Sequence, residues 1–166
     1  MSSAGVASQS GEACFYVRPH TLSLLADARQ SKVILVGSFA GAWNFGDVLQ
    51  LRGTLRWHRQ RGSGIAIAVH GLPMLQSPIQ FERLSAAFAT DHWLFYSRGH
   101  ADHQRRAQAL GLVRLDGPIV GPTLVHAYGG GYFNRLWGAP GLQRIETVLA
   151  YTRPDCYVIS GQQIGA

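Results

Sequence analysis

Short apolar runs alternate with stretches of helical periodicity along this chain. Lys32-Val-Ile-Leu-Val-Gly37 is rich in β-branched residues and ends in glycine, which predicts a strand buried on both faces. A helix is expected from about Val48 to Arg61, with Val48, Leu51 and Leu55 on its apolar face. Asp47 is its expected N-cap, and Gln50 stands where an Asp-x-x-Gln capping box would need it. Gly64 to His70 reads as a second strand, Ile79 to Ala89 as a helix, and His92 to Tyr96 as a third strand. Asp102 to Leu110 reads as a short helix stopped at Gly111. Val113 to Val120 gives no clear period, and Gly117-Pro118 and Gly121-Pro122 mark turns. Thr123 to Tyr128 is the next strand, Leu142, Ile145, Val148 and Leu149 mark a helix, and Cys156 to Ser160 is the last strand.

That alternation predicts an α/β fold: a Rossmann-like, doubly wound, mainly parallel sheet with helices on both faces. Residues 1–30 are expected to be a flexible tail and lead-in, because Met1 to Glu12 is small and polar. Residues 31–166 are expected to form the one domain, as 166 residues suggest. Charged residues are 14% and hydrophobic residues 46%, a balance that argues against disorder. No apolar run has the length of a membrane span, and no secretory signal opens the chain, so a cytoplasmic location is expected.

The charge is 15 − 9 = +6, carried by arginines except for Lys32. These arginines are spread from Arg18 to Arg153 rather than clustered, so no nucleic-acid partner is expected. Arg52, Arg56 and Arg59 fall within roughly 60° of one helix face. That stripe reads as a solvated face, or as a contact for anionic lipid or a polyanion. Cys14 and Cys156 show no metal or redox spacing, and Cys156 is expected to be a buried core thiol. His100-x-x-His103 lacks a nearby third ligand, so no metal is expected. His126, on a buried strand, reads as a core histidine within reach of a cleft, and His58 has no partner evident in the sequence.

Three glycine-rich segments follow apolar strands: Gly37 to Asp47, Tyr128 to Trp137, and Ser160 to Gly165. In an open parallel sheet all three would leave the same carboxyl edge, where ligands bind. None is a GxGxxG fingerprint, a Walker loop or a Gly-x-Ser-x-Gly elbow. The candidate binding residues are Gly41, Asn44 and Gly46 in the first segment; Gly129, Gly130, Gly131, Asn134, Arg135 and Trp137 in the second; and Gly161, Gln162 and Gln163 in the third. The consecutive glycines allow close approach of a ligand, and Arg135 can clamp an anion. Asp47 is the candidate catalytic residue; it is either a helix cap alone or also a hydrogen-bond acceptor for a sugar hydroxyl.

Asn44-x-Gly46-Asp47, Gly129-Gly-Gly-Tyr-Phe-Asn134 with Trp137, and Ser160-Gly-Gln-Gln-Ile-Gly165 together resemble the polysaccharide pyruvyl transferase family, in that family's order and from about Lys32 to Ala166. The resemblance implies one half of a two-domain, GT-B-like fold. It implies transfer of a pyruvyl group from phosphoenolpyruvate, as donor substrate and without a further cofactor, onto a sugar or lipid-linked saccharide of the cell envelope. This chain corresponds to the N-terminal half. The family's catalytic histidine and donor-binding arginines belong to the second half, so a C-terminal domain or partner chain is the implied partner. Two other readings share this architecture: a glycosyltransferase-like half-domain using a nucleotide sugar, and a non-catalytic sugar- or protein-binding domain.

Overall fold

The computed structural model describes residues 13–37, 45–70, 78–98, 101–129 and 138–161. The chain runs β1 (Ala13–Val17), α1 (Pro19–Ala26), β2 (Lys32–Gly37), α2 (Phe45–Arg59), β3 (Gly64–His70) and α3 (Pro78–Phe88). It continues through β4 (Trp93–Arg98), α4 (Ala101–Ala109), β5 (Val113–Arg114), β6 (Thr123–Tyr128), α5 (Gly138–Thr152) and β7 (Cys156–Ser160). The strands form one seven-stranded sheet in the order β5-β1-β4-β3-β2-β6-β7. From β4 to β7 every pairing is parallel, while β1 pairs antiparallel with both β4 and β5. The expected Rossmann-like α/β sheet is present, with two antiparallel pairings added at one end.

Alternation along the strands builds a core on each face. Val33, Leu35, Ile65, Ile67, Val69, Trp93 and Phe95 point to one side and meet Leu51 and Leu55 of α2 and Phe81, Leu84 and Phe88 of α3. Ile34, Val36, Ala66, Ala68 and Leu94 point to the other and meet Leu25 of α1 and Ile145 and Val148 of α5. The near-continuous apolar runs of β2 and β3 follow from this two-sided cover.

Three expectations change. Residues 13–26 of the expected tail and lead-in are a sheet strand and a helix. Phe15 and Val17 of β1 are buried, and the Phe15 ring stacks between Tyr96 and Tyr151 at centroid distances of 5.5 and 3.8 Å. The strand that organises this segment, β4, lies some eighty residues along the chain, so nothing local announces it. Second, α2 begins at Phe45, which places Asp47 inside its first turn rather than at the N-cap. A carboxylate there still meets the amide-rich, partially positive end of the helix. Third, Cys156 is exposed: β7 lies at the edge of the sheet, and its residues are exposed along its whole length.

The arginine stripe also has a structural partner. Arg52 donates to the carbonyl of Ala87 (3.1 Å), and Arg59 donates to those of Phe88 and Ala89 (2.7 Å each). These carbonyls end α3, where unpaired acceptors carry partial negative charge. Two arginines of α2 therefore close the C-terminus of α3. Lys32, 1% exposed, is satisfied in a similar way. Its ammonium donates to the carbonyls of Asp27, Gln30 (2.8 Å) and Val120 (2.6 Å), matching its three N–H groups to three acceptors. Burial lowers its pKa from the ordinary lysine value.

Candidate functional site

The strand order turns around between β2 and β6: β3 and β4 lie to one side, β7 to the other. Such a switch point opens a crevice at the carboxyl ends of the strands. Gly37, the last residue of β2, pairs with Tyr128, the last of β6, and Tyr128 pairs with Ser160, the last of β7. The glycine-rich segments thus leave the sheet side by side, from three neighbouring strands. Glycine is required at position 37, since a Cβ there would lie 2.3 Å from the Tyr128 ring. Gly129 and Gly161, with φ of 75° and 65°, turn the chain out of β6 and β7 in a conformation that side chains disfavour. The Gly129 N–H donates to the Ser160 carbonyl at 3.1 Å, and a Cβ at Gly161 would lie 3.6 Å from the Gly129 nitrogen.

Of the candidate residues, Gly129 and Gly161 are thereby in contact. Gly46 and Asp47 lie in the first turn of α2, exposed and half-buried respectively. Gly41, Asn44, Gly130, Gly131, Asn134, Arg135, Trp137, Gln162 and Gln163 lie outside the described residues, as does His100. Among the described residues, no three or more His, Cys, Asp or Glu side chains gather as a metal site would need. No helix among them is long and apolar enough to cross a membrane.

A hydrogen-bonded chain of side chains runs inward from the carboxyl edge. Ser160 Oγ lies 2.6 Å from His126 Nε2, and His126 Nδ1 lies 2.8 Å from His58 Nε2. Ser160 is exposed, whereas His126 and His58 are buried, at 7% and 2% exposure. Burial lowers the pKa of His126. Burial, then the neighbouring His126 and Arg61 charges, pushes His58 down to about 4. Both rings are therefore neutral near pH 7. With the proton on Nδ1, His126 donates to His58 and offers its Nε2 lone pair to the Ser160 hydroxyl. The opposite sense also satisfies every link, with His58 Nε2–H donating to His126 and His126 Nε2–H donating to Ser160.

The inner residue of this chain was within reach of sequence reasoning. Leu51, Leu55 and His58 follow the i, i+4, i+7 spacing of one helix face, so the apolar face of α2 extends to His58. The pairing that brings Ser160 to His126 joins strands separated by a whole helix and has no local signature.

Comparison with known proteins yields no matching family model, no matching curated protein and no matching solved structure.

Proposed function

We propose that this chain is a polysaccharide pyruvyl transferase-like protein supplying one wall of a substrate cleft. The observation that carries the reading is the line Gly37–Tyr128–Ser160 across the switch point. From it the three segments bearing the resemblance emerge next to one another. In the reaction, two hydroxyls of a sugar add to the enol carbon of phosphoenolpyruvate and inorganic phosphate leaves, giving a cyclic ketal. The methylene carbon must gain a proton, the hydroxyls must lose theirs, and cations must hold the carboxylate and phosphate. In this reading Asp47 accepts a hydrogen bond from an acceptor hydroxyl, and Asn134 and Arg135 are substrate-binding residues. The glycines let the saccharide or its lipid-linked form approach the backbone.

The Rossmann-like strand order supports one half of a GT-B-like arrangement. A second domain or partner chain closes the cleft and brings the remaining acid–base and cationic groups. The exposed apolar residues of β7, Tyr157, Val158 and Ile159, support a docking partner of this kind. A cytoplasmic location goes with a phosphoenolpyruvate donor.

The test is titration of the chain assembled with its second half, with phosphoenolpyruvate and, separately, with a nucleotide sugar, followed by calorimetry. Saturable binding of phosphoenolpyruvate, competed by inorganic phosphate, is the expected result. Binding of the nucleotide sugar alone would replace this reading with the glycosyltransferase-like one. Binding of neither would leave a saccharide- or protein-binding domain. In the enzyme assembled with its second half, alanine at Asp47, Asn134 or Arg135 is expected to lower turnover; unchanged kinetics in all three would remove them from the site.

A further inference from the structure

Ser160, His126 and His58 stand in the order nucleophile, base and orienting group. The Oγ–Nε2 and Nδ1–Nε2 separations of 2.6 and 2.8 Å are both within hydrogen-bond reach. The serine ends a strand at the carboxyl edge and is open to solvent, while the two imidazoles behind it are shielded. Such a constellation is recognised by geometry and roles rather than by a motif, so the missing Gly-x-Ser-x-Gly elbow does not count against it. Apolar surface flanks it. Val158, two residues before Ser160 and on the same side of β7, is 43% exposed. Trp57, edge-on to His58 at 4.6 Å, is 48% exposed.

We propose that Ser160 is a nucleophile for acyl transfer, with His126 as its general base and His58 as a positioning residue, acting on activated esters with an apolar acyl group. The Ser160 oxygen bonds to the ester carbonyl carbon while its proton passes to His126 Nε2. The carbon–oxygen bond to the leaving group then breaks, and the leaving oxygen takes that proton from His126. The product is an acyl-serine and a free alcohol or phenol. Water repeats the sequence and releases the acid. The orienting group is a neutral imidazole rather than a carboxylate, and burial of His126 opposes its imidazolium form. The relay therefore suits esters whose leaving group departs readily, such as aryl esters. This inference does not depend on the pyruvyl transfer reading.

The test uses the full chain and an alkyl fluorophosphonate, followed by intact mass and peptide mapping. The Ser160 oxygen bonds to phosphorus, fluoride leaves, and the proton passes through His126 to solvent. The expected result is one adduct on Ser160, formed faster than any on Ser31, an exposed serine ahead of β2. Ser160→Ala abolishes it, and His126→Gln slows it by about 100-fold or more. His58→Leu slows labelling, and His58→Gln, which keeps a hydrogen-bonding partner for His126, restores most of the rate. Hydrolysis of p-nitrophenyl butyrate follows the same order across the variants. No adduct on Ser160, labelling no faster than at Ser31, or an unaltered rate in a folded His126→Gln would each overturn the proposal. The comparison with Ser31 needs only the wild-type chain, so it stands even where a histidine variant does not fold.

Discussion

The first and last strands along the chain make opposite use of similar sequences. Ala13–Val17 and Cys156–Ser160 are each five residues long and uncharged. In β1 the apolar side chains are buried, with Phe15 between two aromatic rings and Val17 at 0% exposure. In β7 the side chains are exposed, and the strand is held by polar contacts. Its ladder to β6 is reinforced by Asp155, which accepts from the Thr123 N–H at 2.8 Å and donates its own N–H to the Thr123 carbonyl at 2.9 Å. The Ser160 hydroxyl and carbonyl engage His126 and Gly129 at the far end. The side of the sheet that holds β1 is bound by burial and the opposite edge, β7, by hydrogen bonds. Burial is decided by what lies on either side of a strand, not by its composition.

The sharpest way to break this contrast is to cut the apolar anchor. Phe15→Ala is expected to destabilise the chain by about 3–5 kcal/mol, read by urea denaturation. A loss below about 1 kcal/mol would mean that β1 is not part of the cooperative core. Asp155→Ala is the matching cut at the other end and should cost about 1.5 kcal/mol. Its effect should be local, with amide exchange rising in β7 before it rises in β2.

Acid should act on the polar end as well. The unfolded chain binds protons at histidine near pH 6.5, while the fold holds His58 neutral down to about 4. The unfolded state therefore binds more protons in that window, and stability falls as pH drops from about 6.5 toward 4. His58→Gln should flatten that part of a melting-temperature profile; a profile with unchanged slope would mean that another group titrates there. The smallest effect belongs to the outer surface of β7. Ile159→Thr should change stability by no more than about 0.5 kcal/mol. A cost approaching that of Phe15→Ala would erase the distinction between the two ends.

The same contrast explains which parts of the fold could be read from the residues. β2, β3, β6 and β7 carry their apolar runs within their own bounds, and their positions follow from local pattern. β1 is identified by its register with β4, from Ala13 opposite Arg98 to Val17 opposite Leu94, and only tertiary structure supplies that pairing. An apolar run implies cover on both faces, which would bury Cys156; β7 lacks that cover, and its residues are exposed along its whole length. At the candidate site, three glycine-rich strand ends were legible as sharing one edge. That Gly37, Tyr128 and Ser160 fall on a single line was not, since it depends on the β2–β6–β7 register. His58 lay on a face whose period could be counted, whereas its link through His126 to Ser160 needed the folded sheet.

Lys32 is the only lysine in the chain, and its ammonium is enclosed by three carbonyl oxygens beneath the turn that follows α1. The native molecule therefore presents no side-chain amine to its surroundings. Lysine-directed crosslinkers, dyes and tagging enzymes find no lysine to modify until that turn opens. The rate at which Lys32 becomes modified is a clock for opening of the fold, readable by mass spectrometry at a single position.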